Sequence, residues 1–257
     1  MPELRLGKLP ATTDRRDLLF ARYVQPAELP TPPPQFGHET LFGPHSWGML
    51  GNDEWGDCAW AGPAHETMLL TKEGGHLAQF TTSGVLRDYA AGTGFDPKAG
   101  PPGENPTDQG SDVRSVLGYR RSKGIVDAHG KRHKIGAYVR LDQTNLNEVY
   151  QALYLFQVIG IGIRFPQTAM QQFNDGEPWD VVPRAKVEGG HYVCLVARRK
   201  NLDVITWGAL QQMTERFFRK YCDEAWAYIS VENLRSGTDP EGFKLTQLKA
   251  DLAALSH

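Results

Sequence analysis

The sequence predicts an α+β fold in two lobes, a helical lobe leading and a β-rich lobe following, meeting at a cleft of the kind where sites form. Three observations carry this. The first half holds apolar residues at helical spacing, whereas the second holds β-rich runs such as KIGAYVRL, FQVIGIGIRFP and GGHYVCLVARR. A cysteine stands at the head of the first helical run, in NDEWGDCAWAG at 52–62. One histidine, at 191, follows two glycines at the start of an apolar strand.

At 257 residues the chain is long enough for a sizeable buried core. It reads as one domain, 1–257, built of an extended proline-rich strap at 1–47, a helical lobe at 48–134, and a β-rich lobe with C-terminal helices at 135–257. Lysines and arginines number 28 against 30 acids, a net charge of −2, and no run of like charge stands out. That balance argues against nucleic acid or a membrane surface as partner. The three cysteines, Cys58, Cys194 and Cys222, are odd in number and widely spaced, so reduced thiols are expected rather than a disulfide framework. MPELRLGKLPATTDRRD has no apolar core of signal-peptide length, and no stretch nears a membrane span, so a cytoplasmic or non-classically delivered protein is expected.

The elements follow in order. AELPTPPPQFG marks the strap as extended. A helix is expected to begin within a few residues of Cys58, because Pro63 is tolerated in a first turn. SGVLRDYAA at 83–91 reads as a second helix closed by Gly92, and SDVRSVLGYRRS at 111–122 as a third, capped by Ser111 or Asp112 and stopped by Gly124. Between them lies a loop dense in glycine, proline and Asn/Asp. KIGAYVRL and FQVIGIGIRFP read as strands around a helix, NLNEVYQALYLF. GGHYVCLVARR and LDVITWG form two strands joined by a tight turn at Lys200 and Asn201. MTERFFRKYCDEAWAYI reads as an amphipathic helix, and EGFKLTQLKADLAAL as a last one with a stripe of Leu245, Leu248, Leu252 and Leu255.

A thiol at a helix start sits in the positive end of the helix dipole, which favours thiolate and makes the sulfur nucleophilic. Cys58 meets that condition, Gly56 lets backbone approach, and Asn52 offers an amide donor to an oxyanion beside the sulfur. Taken alone, Cys58 is as well read as a buried cysteine without chemistry. His191 shifts the balance. A lone strand histidine is more often core than catalyst, but this one lies 133 residues after the cysteine, within the roughly 130–150 that separate the pair in papain-like proteases.

In these segments the chain resembles the papain family of cysteine peptidases. DRRD at 14–17 resembles the family's D-x-R before the mature start, and NDEWGDCAWA resembles its N-Q-G-x-C-G-S-C-W-A-F. TDQGSDVRSVLGYRRSKGI, NLNEVYQALYLFQVIGIGI and GGHYVCLVARRKNLDVITWG follow in the family's order, the last resembling x-H-A-V-x-x-V-G-Y and then N-S-W-G. The resemblance implies a papain-like fold with a β-sheet or barrel in the second lobe and peptide or protein substrates. It makes Cys58 the nucleophile, His191 the acid and base, Asn52 the oxyanion-hole amide and Trp207 the indole shielding the histidine. Gln109 and Gly110 match the glycine pair that binds an extended peptide backbone. Three departures stand out: asparagine replaces the oxyanion glutamine, Trp55 replaces a disulfide cysteine, and Ile205 falls where the orienting asparagine belongs. Strand alternation puts Asp203 and Ile205 on the face of Trp207 and turns Thr206 away, so a Cys–His dyad is expected, or a triad completed from elsewhere.

His129 and His133 in AHGKRHK read as a solvated turn, and no metal or other cofactor is expected. His65 is expected to face solvent, Cys194 to be a small buried apolar residue on the strand face opposite His191, and Trp179, Trp207, Tyr192 and Phe165 to be core. The function expected is a thiol-dependent hydrolase, a cysteine peptidase or isopeptidase working through an acyl-enzyme. Its competitors are a catalytically silent papain-like binding or structural module and a different Cys–His amidase or acyl transferase, whose shorter Cys-to-His spacing argues against it.

Overall fold

A computed structural model describes residues 4–25, 27, 29–37, 40, 42–43, 47–73, 75–230, 246 and 250. After a short 3-10 turn at Phe20–Arg22, the elements are β1 (Phe36–Gly37), α1 (Cys58–Glu73), α2 (Thr82–Thr93), α3 (Val113–Ser122), β2 (Ile125–Val126), β3 (Arg132–His133), β4 (Ile135–Leu141), α4 (Leu146–Phe156), β5 (Ile159–Pro166), α5 (Gln167–Asn174), β6 (Val187–Arg198), β7 (Leu202–Thr206), β8 (Ala209–Met213), α6 (Glu215–Tyr221) and β9 (Cys222–Ser230). No helix among the described residues is long and apolar enough to cross a membrane.

Local chemistry sets the helix ends. Thr81, Asp112, Asn145 and Thr214 each cap the helix that follows, their side-chain oxygens accepting a backbone N–H from its first turn. α2 runs past Gly92 to end at Gly94, whose φ of 84° is the left-handed conformation glycine adopts freely. α1 starts at Cys58 itself, so Pro63 lies in its second turn rather than its first.

The helix expected across MTERFFRKYCDEAWAYI is corrected: it stops at Tyr221, and β9 continues from Cys222. β9 is buried along nearly its whole length because it lies between β4 and β5, paired antiparallel to both. Continuous burial in a sheet erases the alternation that marks a strand in sequence. The leucine stripe expected at 245–255 falls outside the described residues.

β4, β9, β5, β6, β7 and β8 lie side by side in that order in an antiparallel sheet, and β1 adds to β6. Its two faces carry different cores. Val193, Leu195 and Val204 pack with α4 and α6 through Val149, Leu153, Phe217 and Phe218. Tyr192, Cys194, Val196 and Ile205 pack with α1, α2 and α3 through Ala61, Leu69, Tyr89 and Leu117. Each fully buried side chain of this size contributes about 1.5–3 kcal/mol of transfer free energy.

The approach of α1 to β6 places the site. Gly62 makes room, since a Cβ there would run into the Tyr192 ring. Beneath it the buried Glu66 accepts from the Tyr192 hydroxyl at 2.7 Å and pairs with Arg120 of α3 at 2.8 Å. Removing one partner from such a buried pair costs about 3–5 kcal/mol, so this contact fixes how the helix sits on the strand. Cys58 at the start of α1 and His191 on β6 are thereby held in one frame.

Candidate active site

Cys58 is buried and opens α1, directly after Asp57, whose carbonyl accepts the first helical N–H groups. The backbone N–H of Tyr192, the residue after His191, donates to the Cys58 sulfur at 3.4 Å. Helix start and strand therefore meet at residues 58 and 191–192. His191 is also buried, its ring stacked on Trp207 with centroids 4.2 Å apart and planes 18° from parallel. Its Nε2 lies 2.6 Å from the Thr206 hydroxyl, and its Nδ1 has no hydrogen-bond partner.

The Thr206 side chain thus faces the His191 ring, which corrects the expectation that it turns away. Trp207 and Gly208 have φ of 44° and 72° and form the two-residue turn between β7 and β8, where Thr206 pairs with Ala209. Trp207 has left the strand, so counting back from it by twos gives the wrong face. Cross-strand register gives the right one. Ile205 pairs with Cys194, which sets Thr206 opposite Val193, on the face His191 shares. Ile205 packs instead against α1 on the far face, and Asp203 lies further back, opposite Ala197 and Gln212.

Asn52 is buried in the turn before α1 and donates through Nδ2 to the carbonyls of Trp55, at 3.1 Å, and Arg5, at 3.3 Å. Gly110, with φ of 71°, donates its N–H to the Tyr89 hydroxyl, and Gln109 is turned to the Pro106 carbonyl. The backbone here that pairs with an extended segment is that of Ser111, one residue later. Its N–H donates to the Gly7 carbonyl at 2.7 Å, and its carbonyl accepts from Leu9 at 2.9 Å.

The partner of Ser111 is the chain's own N-terminal segment, and residues 5–9 fill the groove over the cysteine. Arg5 donates its N–H to the Asn52 carbonyl, and its own carbonyl accepts from Asn52 Nδ2 and from Trp207 Nε1, at 3.2 Å. The N–H groups of Gly7 and Lys8 both donate to the Gly190 carbonyl, at 3.2 and 3.0 Å. Gly7 presses so close to Gly56 that a Cβ on it would overlap the Gly56 carbonyl, and a Cβ on Gly110 would overlap the Gly7 carbonyl. The extended strap expected at 1–47 is therefore also a plug. Nothing in its proline-rich composition marked residues 5–9, although the glycine within LRLGKL is the signal that a close approach leaves.

Burial decides the electrostatics. Burial pushes the Cys58 thiol up to about 12, opposed by the N–H groups of Tyr192 and Gly7. Burial alone pulls His191 down to about 3. The thiolate expected from the helix start is thus corrected for this state: desolvation outweighs the dipole, and both groups are neutral. Burial also drives the Asp57 carboxyl well above the usual range, with the Asp108 carboxylate adding to the effect.

Two further expectations change. His65 is buried, its Nε2 2.9 Å from the Gly48 carbonyl, and burial pulls it down to about 4. His133 is buried on β3, with Nε2 3.0 Å from Asp127, because that carboxylate ties the turn by accepting from the N–H groups of His129 and Lys131. Tyr192 is core, as are Phe165 and Trp179, but it packs on the α1 side of the sheet. Among the described residues no group of three or more His, Cys, Asp or Glu side chains is gathered to hold a metal.

No family model matches the chain, and no curated protein is significantly similar to it in sequence. Solved structures do match. Xylellain, a cysteine protease from Xylella fastidiosa, aligns with a TM-score of 0.64 over 89% of this chain and 97% of its own, at 15% identity. Procathepsin B from Trypanosoma congolense aligns at 0.56, covering 88% and 86%, at 11% identity. A cysteine protease of Carica candamarcensis in complex with E-64 aligns at 0.53, covering 77% and 98%, at 12% identity. With helices packed on both faces of an antiparallel sheet and a cysteine at the first helix start beside a strand histidine, the chain has the papain-like α+β fold of these cysteine proteases.

Proposed function

We propose that the protein is a thiol-dependent hydrolase of peptide-type amide bonds, restrained by its own residues 5–9. The carrying observation is the meeting of Cys58 with the His191–Tyr192 strand, together with an imidazole whose Nε2 is bonded to Thr206 and whose Nδ1 is unengaged. In this reading the Cys58 sulfur attacks the substrate carbonyl carbon while His191 takes the thiol proton. Asn52 Nδ2 and the Cys58 backbone N–H hold the oxyanion, a role for which Asn52 already donates to a carbonyl in the groove. Collapse expels the amine, which leaves with the proton from His191. Water then attacks the thioester, His191 again takes the proton, and the acid and free thiol are regenerated. Thr206 orients the ring and Trp207 covers it.

Residues 5–9 suit an inhibitor, because their backbone is tied to Asn52, Gly190, Ser111 and Trp207 around the cysteine. Withdrawal of the segment hydrates the groove and reverses the burial that keeps Cys58 and His191 neutral. A catalytically silent papain-like module is the second reading. It is favoured by a hydroxyl, rather than an amide carbonyl, at the orienting position and by the filled groove.

Turnover of a broad fluorogenic peptide library by wild type, Cys58→Ala and His191→Ala separates the two. The hydrolase reading expects activity in wild type alone, with Cys58, although as buried as Cys222 when residues 5–9 are seated, alkylated by iodoacetamide faster than Cys222 as the segment withdraws. Equal turnover in all three, with Cys58 no faster than Cys222, overturns it in favour of the silent module.

A further inference from the structure

We propose that the pocket holding the Lys8 side chain is a specificity pocket for lysine or arginine, so that the enzyme acts on peptides carrying a basic residue beside the bond it cleaves; this rests on the thiol-hydrolase reading above. The Lys8 side chain is fully buried, with Nζ 3.0 Å from the Asp223 carboxylate, 3.0 Å from Glu224 and 3.0 Å from the Leu9 carbonyl. A surface lysine that merely tethered a strap would keep its ammonium in water. Here a whole pocket is built around it.

The walls belong to the body of the protein. Gly162 of β5 lines the channel, and a Cβ there would strike the Lys8 Cε as well as Glu224 and Asp223. Asp223 and Glu224 are contributed by β9, next to β5 in the sheet. The Glu224 side chain is 4% exposed and is fixed by Trp226, whose Nε1 donates to its other carboxylate oxygen at 2.8 Å. When Lys8 leaves, an aimed, buried carboxylate oxygen loses its partner, and only another cation restores it at no loss. An aliphatic side chain leaves Glu224 unpaired, and an acidic one is repelled.

The place of the pocket gives it meaning for the reaction. Lys8 follows Gly7, the residue pressed against Gly56 just before Cys58, and both bond to the carbonyl of Gly190, the neighbour of His191. A peptide side chain entering here therefore lies about one residue from the reacting carbonyl. The chain's own lysine occupies the groove as a stand-in for that side chain.

The test uses the full-length chain carrying Cys58→Ala, which takes turnover out of the readout, and Lys8→Ala, which empties the pocket. Blocked tripeptide amides with lysine, arginine, norleucine or glutamate at one position, scanned through the three positions, are titrated by calorimetry. We expect the lysyl and arginyl peptides to bind roughly ten- to a hundredfold tighter than the norleucyl peptide, glutamyl peptides to bind weakest, and the preference to vanish with Asp223→Asn/Glu224→Gln. Should Lys8→Ala lower the folded fraction, Gly7→Ala opens the groove by its overlap with Gly56 and serves in its place. Equal binding of basic and norleucyl peptides, or binding of neither, overturns the pocket assignment. An inert wild-type enzyme with a measured lysine preference overturns the hydrolase reading and leaves the pocket standing.

Discussion

Replacing Thr206 by valine keeps the side chain's volume and deletes the hydroxyl 2.6 Å from His191 Nε2. The imidazole has no other hydrogen bond, since Nδ1 is unpartnered, and the ring is 1% exposed, so no water takes the hydroxyl's place. Leaving such a buried polar group unsatisfied costs about 1–3 kcal/mol. In a chain of this size each kcal/mol moves Tm by about 2–4 °C, so Thr206→Val is expected to melt roughly 2–12 °C below wild type. Thr206→Ser keeps the hydroxyl and serves as the control for lost packing. Stacking on Trp207 still holds the ring in plane, so the second effect is on its tautomer and tilt. Turnover should fall by up to roughly a hundredfold without vanishing. Calorimetry at neutral pH and kcat on the best library peptide give both numbers. If Thr206→Val matches Thr206→Ser within about 1 °C and in kcat, the hydroxyl orients nothing and the site is a bare dyad.

Two further predictions follow from burial and from the plug. His65 and His191 are held at about 4 and 3 in the folded chain, below the ordinary histidine value of 6.5. A folded pKa below the unfolded one means protonation favours unfolding: their contribution is fully present above pH 6.5 and is lost as pH falls from there towards 4 and 3. The slope approaches about 1.4 kcal/mol per pH unit for each histidine, and His65→Gln should remove about half of it. Denaturant titrations between pH 7 and 4 check this, and a slope unchanged by His65→Gln contradicts it. Gly7→Ala places a methyl group on the Gly56 carbonyl and so should lift the plug, raising Cys58 alkylation by iodoacetamide roughly tenfold or more as the thiol is rehydrated and its pKa falls. Unchanged labelling, followed by mass spectrometry, would show that residues 5–9 do not guard the thiol.

The papain-like α+β fold was legible because local signals and their order agree. The caps Asp112 and Asn145, the helical spacing of NLNEVYQALYLF and the β-rich runs around it each point to the element that forms. Cys58 at a helix start and His191 on a strand were legible for the same reason, as residue types in local contexts. The chain could not declare what depends on pairing between distant segments. Thr206 rather than Ile205 reaches the imidazole because the register between β6 and β7, and a left-handed turn at Trp207 and Gly208, set which side chains share a face. β9 reads as a helix until β4 and β5 bury it on both sides. The charge state of Cys58 and the caged ammonium of Lys8 arise from burial in the packed chain. Desolvation is a property of the packed whole, and no window of sequence contains it.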